Sequence, residues 1–217
     1  MDCKLQFAKN LASRLIIFLL SDILAPIPNT DADKMVSDFR KKKLMYAFSS
    51  FFDENNSGTI DKKDFQLAAV EIAKMRGWAS GSAQQKEVES SLMKIWDSLQ
   101  SHADKDNDGQ ISAEEWLSMW DDYAKNPSAP LEWQKLYCKL IFDLQDASSD
   151  GSIDATEFST VSESFGINKD EAVASFAKMA KGKSNISWAE FQQLWQEFFV
   201  SEDPSAPGNH IFGKSTF

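Results

Sequence analysis

From residue 35 onward, apolar side chains recur at three- and four-residue spacing, in stripes broken at regular intervals. Phe39, Lys43, Tyr46, Ala47 and Phe51 mark one helix, and Phe65, Ala69, Ile72 and Met75 the next. Leu92, Ile95, Trp96 and Leu99 form a third stripe; Trp116, Met119 and Trp120 form a fourth. Pro130 suits a helix start, and Leu136, Tyr137, Leu140, Ile141 and Leu144 follow it, with Phe158, Val161 and Phe165 beyond the next break. Asn168 with Glu171 reads as an N-cap and its N3 acid, opening a helix to about Ala180. Ser187 with Glu190 repeats that signature before Phe191, Leu194, Trp195 and Phe198. The breaks at 53–64, 104–115 and 146–157 are acidic and contain glycine. Gly77–Gln85 and Ala124–Ala129 read as linkers. No strand-rich segment competes. The pattern predicts an all-α protein built from one helix–loop–helix unit used four times. Residues 35–123 would hold the first pair of units, 124–200 the second, and 201–217 a tail.

Composition narrows the function. Of 217 residues, 42% are hydrophobic and 12% aromatic, enough for a core, and the net charge is −10. That balance argues against nucleic acid as a partner, since such a footprint is basic. Residues 1–34 are neutral overall (Asp2, Asp22, Asp31 and Asp33 against Lys4, Lys9, Arg14 and Lys34), so the whole excess lies in 35–217. Two cysteines, Cys3 and Cys138, are too few for a disulfide scaffold and fit a reducing cytosol. Cys138, among Leu136, Tyr137, Leu140 and Ile141, reads as a small buried residue. Two histidines, His102 and His210, argue against a His-rich metal site; His210 reads as a packing residue. No uncharged apolar run is long enough to span a bilayer.

The acids are arranged, not scattered. Asp104-Lys105-Asp106-Asn107-Asp108-Gly109-Gln110-Ile111-Ser112-Ala113-Glu114-Glu115 satisfies the spacing D-x-[DN]-x-[DN]-G-x₅-E of an EF-hand calcium loop. Ca²⁺ is a hard cation that takes roughly six to eight oxygens at about 2.3–2.6 Å. Asp104, Asp106 and Asp108 supply three, Gln110 its backbone carbonyl, Ser112 a water-mediated contact and Glu115 two oxygens. Gly109 turns the chain, and Ile111 faces away, placed to pair with a neighbouring loop. In 146–157 the expected ligands are Asp146, Ser148, Asp150, the Ser152 carbonyl, Asp154 and Glu157. Ser148 stands where the pattern wants Asp or Asn, and Asp154 adds a carboxylate. In 53–64 they are Asp53, Asn55, Ser57, the Thr59 carbonyl, Asp61 and Asp64. Closing with Asp64, one methylene shorter than Glu, demands a contracted loop. This favours a smaller octahedral ion and predicts a mixed Ca²⁺/Mg²⁺ site.

The fourth unit aligns through Ile186 and Glu190, so its loop begins Met179-Ala180-Lys181-Gly182-Lys183-Ser184. Met replaces the first ligand, and lysines at positions three and five would repel a cation. This loop is expected to be metal-free and kept for pairing. Three live loops, a dead fourth, Asp closing the first and a long connection between the first two resemble the calexcitin and sarcoplasmic calcium-binding protein group. Ser37-Asp38-Phe39, Ile95-Trp96-Asp97, Glu115-Trp116-Leu117 with Met119-Trp120, and Gly208-Asn209-His210 with Phe212-Gly213 agree with calexcitin in particular. The resemblance covers about 35–217. It implies a compact protein whose two EF-hand pairs pack together, and a cytosolic calcium buffer or neuronal signalling role.

Two segments invite other readings. Ala177–Ser184 fits the loose phosphate-loop form [AG]-x₄-G-K-[ST], but it follows a helical stripe, and a working phosphate loop leaves a strand. The extension 1–34 carries Leu11, Leu15, Ile16, Ile17, Phe18, Leu19 and Leu20 behind Lys4, Lys9 and Arg14. It is read as a dispensable extension (Met35 directly precedes the family-like segment), a helix contacting a membrane or partner, or a targeting segment. The function expected is reversible cytosolic Ca²⁺ binding by a monomer, without enzymatic activity. It would act as a buffer, or as a sensor that opens an apolar groove for a target protein.

Overall fold

A computed structural model describes residues 37–127, 130–214 and 216–217; the readings placed on 1–34 lie outside them. Helix α1 (Asp38–Ala47) starts at Ser37, whose hydroxyl accepts the Arg40 N–H at 3.1 Å. It runs into one wider π-turn, Phe48–Phe52, closed by the Asp53 N–H on the Phe48 carbonyl. The extra residue per turn sends both Phe48 and Phe52 into the core just before the first acidic loop. Then come α2 (Lys62–Met75), α3 (Ala83–Ala103), α4 (Ala113–Lys125), α5 (Glu132–Gln145), strand β1 (Ser152–Asp154), α6 (Ala155–Ser164), α7 (Lys169–Ala180), strand β2 (Asn185–Ser187) and α8 (Trp188–Val200). A 3₁₀ turn, Pro207–His210, follows. Four helix–loop–helix units are therefore present. No helix among the described residues is long and apolar enough to cross a membrane.

Several boundaries move. Gln85 already lies inside α3, and Ala124 inside α4, so both linkers are shorter than composition suggests. Pro130 stands outside the cap of α5; Leu131 caps it, and its N–H donates to Gln134 Oε1 at 2.9 Å. The caps read from sequence hold. Asn168 accepts the N–H groups of Asp170 and Glu171, and Ser187 exchanges bonds with Glu190.

The loops meet back to back in pairs. Ile60 and Ile111 form an antiparallel bridge, with N–H···O distances of 3.0 and 2.8 Å. β1 and β2 pair antiparallel with Ile153 opposite Ile186. All four isoleucines are buried, so each bridge is sealed from water on its inner side.

One continuous core joins both pairs. Trp116, Trp120 and Trp133 are fully buried. Trp120 stacks on Phe199 with centroids 3.7 Å apart, and Phe52 lies 4.5 Å from Tyr137. The C-terminal residues belong to this core. Phe212 packs 4.5 Å from Phe51 and 4.8 Å from Phe198. Gly208 lies so close to α8 that a Cβ there would meet Leu194 O at 2.5 Å. Cys138 is a buried free thiol, and His210 is buried with Nδ1 2.9 Å from the Lys214 carbonyl.

α1 buries two cations. Arg40 Nε donates to Phe199 O at 2.9 Å and Nη2 to Trp120 O at 2.6 Å, while Nη1 lies 3.5 Å from Asp121. Lys43 Nζ donates to Ser201 O at 2.8 Å and Asn209 Oδ1 at 2.7 Å, beneath the Phe39 and Phe198 rings. The first helix is thereby tied to the chain after α8.

Burial first, and the Arg40 charge second, push the Lys43 ammonium down to about 8. The unfolded lysine titrates near 10.5, so between these values the unfolded chain binds more protons and stability rises with pH. Lys43→Met removes that contribution. Urea melts at about pH 7.5 and about pH 10 should show the wild-type advantage over the variant growing by roughly 2 kcal/mol. An advantage that stays constant would mean that Lys43 titrates like a solvated lysine.

Candidate metal centre

The three acidic loops share one backbone path. Their fourth residues, Asn56, Asn107 and Ser149, have φ of 58°, 61° and 59°, and their sixth, Gly58, Gly109 and Gly151, have 89°, 86° and 88°. The glycine requirement at position six is thus met three times over. With that path, position one faces the loop interior. Asp53 accepts the Ser57 and Gly58 N–H groups at 2.9 Å each. Asp146 accepts those of Asp150 and Gly151 at 3.1 and 3.0 Å.

Asp104 is different. Its Oδ2 accepts the Gly109 N–H at 3.1 Å, but its buried Oδ1 has no hydrogen-bond partner. An unpartnered buried carboxylate oxygen is costly unless a cation compensates it. Asp104, Asp106 and Asp108 each place a carboxylate oxygen within 4.8 Å of the others. Asp106 and Asp108 are exposed and each turns an oxygen onto the backbone, to Asp108 N at 3.1 Å and Gln110 N at 2.8 Å. These residue types and this convergence fit a hard divalent cation.

Position twelve closes each loop. Glu115 Oε1 accepts the Lys105 N–H and Oε2 the Ser112 N–H, both at 2.8 Å. Glu157 Oε1 reaches Ser148 N at 2.8 Å and Oε2 reaches Asp154 N at 3.1 Å. Asp64 does the same with a shorter arm: Oδ1 accepts from Asn55 N at 3.0 Å and Asn55 Nδ2 at 2.7 Å, Oδ2 from Asp61 N at 2.8 Å. The arm is one methylene shorter yet still reaches position three, and Asp64 is nearly fully buried. Burial raises the Asp64 carboxyl above the usual range, against the Asp61 and Asn55 N–H groups and with the Asp61 and Asp53 charges adding to the rise. At Glu115 burial also opposes ionisation, but the donors from Ser112 and Lys105 outweigh it and the carboxyl sits lower.

Position nine has a second task that its spacing did not disclose. Asp61, Ser112 and Asp154 are the N-caps of α2, α4 and α6. Asp154 Oδ1 accepts the Thr156 and Glu157 N–H groups at 2.8 Å each, so one of its oxygens is committed to the helix. At positions five and seven of the first loop, the Ser57 hydroxyl donates to the Thr59 carbonyl at 2.9 Å, bringing two expected ligand oxygens together. Thr59 Oγ1 also bonds Gln110 Oε1 at 2.7 Å, joining the paired loops beside the isoleucine bridge. In the third loop Ser152 contributes its hydroxyl to Asp150 Oδ1 at 2.8 Å, and the Ser148 hydroxyl lies 3.5 Å from Asp146 Oδ1.

The fourth loop takes another path. Its left-handed residues are Lys181 and Gly182, at positions three and four. Lys183 lines a space with Met179, Lys181, Asn185 and Glu190, and its exposed ammonium pairs with Glu190 Oε1. Glu190 Oε2 keeps its capping bonds to Ser187 N and Oγ at 2.9 and 2.7 Å. The Lys183 ammonium, then the Ser187 donors, hold the Glu190 carboxyl at about 2. The position-twelve acid of this loop thus already has an ammonium partner. Ala177–Ser184 closes α7 and leads into β2, the reverse of the strand-to-helix order a phosphate loop needs.

A model of the EF hand matches residues 50–68 and 102–120, spanning the first two loops and the start of the helices that leave them. Calexcitin-1 of Caenorhabditis elegans is 32% identical over 185 residues, covering 82% of this chain and 88% of that protein. The sarcoplasmic calcium-binding proteins II, V, VI and VII of Branchiostoma lanceolatum are 26% identical over 183 residues, covering 82% and 98%. Among solved structures, a sarcoplasmic calcium-binding protein from amphioxus superposes with a TM-score of 0.72 at 24% identity over 83% of this chain and 99% of that one, a likeness of fold. The chain belongs to the calexcitin and sarcoplasmic calcium-binding protein family of EF-hand proteins.

Proposed function

We propose that this chain binds Ca²⁺ reversibly in three loops, 53–64, 104–115 and 146–157, and serves the cytosol as a calcium buffer that stays closed on loading. The observation that carries the reading is the buried, unpartnered Asp104 Oδ1, converging with Asp106 and Asp108 on a common point. Asp104, Asp106, Asp108, the Gln110 carbonyl, Ser112 and Glu115 would hold the ion in the second loop. Asp146, Ser148, Asp150, the Ser152 carbonyl, Asp154 and Glu157 would hold it in the third. Asp53, Asn55, Ser57, the Thr59 carbonyl, Asp61 and Asp64 would form the first site, and the shorter reach of Asp64, which holds Asn55 at 2.7 Å, supports mixed Ca²⁺/Mg²⁺ occupancy. The bound ion supplies charge neutralisation. The chain supplies converging oxygens and a backbone already turned to present them.

The closed mode is supported by packing. A sensor needs an apolar face to uncover. Here the core is continuous across both pairs, and the exposed large hydrophobics among the described residues are Val70, Leu136 and Val173, on three different helices. The C-terminal residues, with Asn209 on Lys43 and Phe212 on Phe51, further bind the first helix to the second pair.

Titration calorimetry with Ca²⁺ and with Mg²⁺, beside an apolar dye, tests the reading. Three calcium sites with little calcium-induced dye binding are expected. No bound calcium at millimolar free ion would overturn it, and strong dye binding would replace the closed buffer with a sensor. Each filled site should raise stability by about 2.7 kcal/mol at a hundred times its Kd, seen as a higher Tm than in chelator. Glu115→Gln keeps an acceptor for the Ser112 N–H but removes a ligand charge. It should weaken the second site by tenfold or more, roughly the scale of a lost metal-shell contact, while sparing the fold. Asp64→Glu lets the first loop relax outward, so calorimetry should show its preference shift toward Ca²⁺ over Mg²⁺; an unchanged ratio would dismiss the contraction argument.

A further inference from the structure

The last turn of α2 ends in a Schellman motif: Trp78 N–H bonds Ala73 O at 2.9 Å and Gly77 N–H bonds Lys74 O at 3.1 Å, with Gly77 at φ 67°. This motif fixes the backbone of Arg76, the C-cap residue between them. Arg76 Nη2 reaches out of the first hand and donates to Asp143 O at 2.9 Å and Leu144 O at 3.0 Å. Those two carbonyls belong to the last turn of α5, the helix that delivers Asp146 to the first position of the third loop. The N–H that would continue the helix onto Asp143, that of Ala147, bonds Gln145 O at 2.9 Å instead. Arg76 therefore supplies a donor, and a positive charge, where the helix end leaves acceptors and a partial negative charge. On the other side of the same turn, Met75 Sδ lies 3.1 Å from the Ser164 hydroxyl, the last residue of α6. The end of α2 thus touches both helices of the third hand. α2 is also the helix that Asp61 and Asp64 of the first loop cap at its other end.

From this placement we infer that Arg76 is a positioning residue for the third loop, and that through it the state of the first loop biases calcium binding at 146–157. The pairing within each half, through the isoleucine bridges, couples loop one to two and three to four. The Arg76 contact couples across the halves. A rigid helix carries it: whatever filling the first loop does to the start of α2 is felt at its end, where the Asp143 and Leu144 carbonyls set the direction in which Asp146 enters its loop. Two sites joined by such an element influence each other reciprocally.

The inference rests on calcium binding at the third loop, and the test separates the two. Arg76→Ala, Arg76→Lys, Asp64→Asn and the Arg76→Ala/Asp64→Asn double variant are compared with wild type. Calorimetry reads the third site, and amide hydrogen exchange of 143–151 is followed in the metal-free chain. Arg76→Ala should speed exchange across 143–151 in the absence of metal, while 104–111 is unchanged. It should also weaken the third site by roughly 3- to 10-fold, the range of one or two charge-assisted bonds at a helix end. Arg76→Lys, a charge without the guanidinium fork, should recover part of the loss. Asp64→Asn alone should alter third-site affinity, and in the Arg76→Ala background that alteration should vanish. Unchanged exchange in metal-free Arg76→Ala, or an Asp64 effect that persists without Arg76, overturns the inference. A wild-type third site that binds no calcium overturns the reading beneath it, while the metal-free exchange still tests the Arg76 contact itself.

Discussion

Holding like charges together without letting the chain fly apart is the constraint that organises this protein. Asp104, Asp106 and Asp108 bring carboxylate oxygens within 4.8 Å of one another. Two unit charges at about 4 Å repel by roughly 1 kcal/mol in water and more as water is excluded. The loop does not relieve this by spreading. It spends its own N–H groups on the acids, through Gly109 onto Asp104 and Gln110 onto Asp108, and draws Glu115 across its mouth through Lys105 and Ser112. Much of the preorganisation for a cation is therefore backbone polarity pointed inward. Only behind the loop, at Ile60 and Ile111, does the apolar core take over.

The core in turn explains why the two pairs are not independent beads on a helix. Trp120 of α4 stacks on Phe199 of α8, and Phe52, preceding the first loop, packs on Tyr137 of α5. Aromatic surfaces of this size dominate burial energetics and favour a fixed mutual geometry. Separating the pairs would uncover those rings and leave Arg40 without the Phe199 and Trp120 carbonyls. Breaking such a buried charged contact costs on the order of 3–5 kcal/mol. Opening wide enough to accept a helix from another protein has to meet that cost first, which supports the proposed closed mode.

How much of this could be read in the letters depends on the range of each interaction. The loops, the caps at Asn168 and Ser187, and the isoleucine pairs were legible because ligand spacing and capping are local, within about a dozen residues. The roles of Arg40 and Lys43 were not. Lys43 falls on the apolar stripe of α1 as an anomaly, and its acceptors, Ser201 O and Asn209 Oδ1, lie more than 150 residues away. The π-turn at Phe48–Phe52 was invisible for a similar reason, since it is the core that demands two inward phenylalanines there. Position nine read as a ligand in the sequence, yet Asp61, Ser112 and Asp154 also serve as caps, a double use that loop spacing and cap chemistry each describe only in part. Pro130 misled because a proline just outside a cap looks the same as one just inside.

The fourth loop differs from the other three in carrying a cation of its own. Lysine at position five places an ammonium against the position-twelve carboxylate, and that ammonium, followed by the Ser187 donors, holds the Glu190 carboxyl down at about 2. The cation is now part of the chain, so it cannot leave, and the strand that follows pairs with β1. On the proposed three-site reading, the third loop then pairs with a loop that takes no ion, while the first and second loops pair with each other and each carries a candidate site. The halves of the molecule are therefore unequal by construction. In the first, both members of the bridge are candidate calcium loops. In the second, one member is fixed, and the adjustable one, 146–157, has its incoming helix anchored from outside the pair by Arg76. If all three loops bind, an asymmetry of this kind would spread them over different affinities without changing their ligands, because what differs is how much of each site's geometry is already settled before the ion arrives.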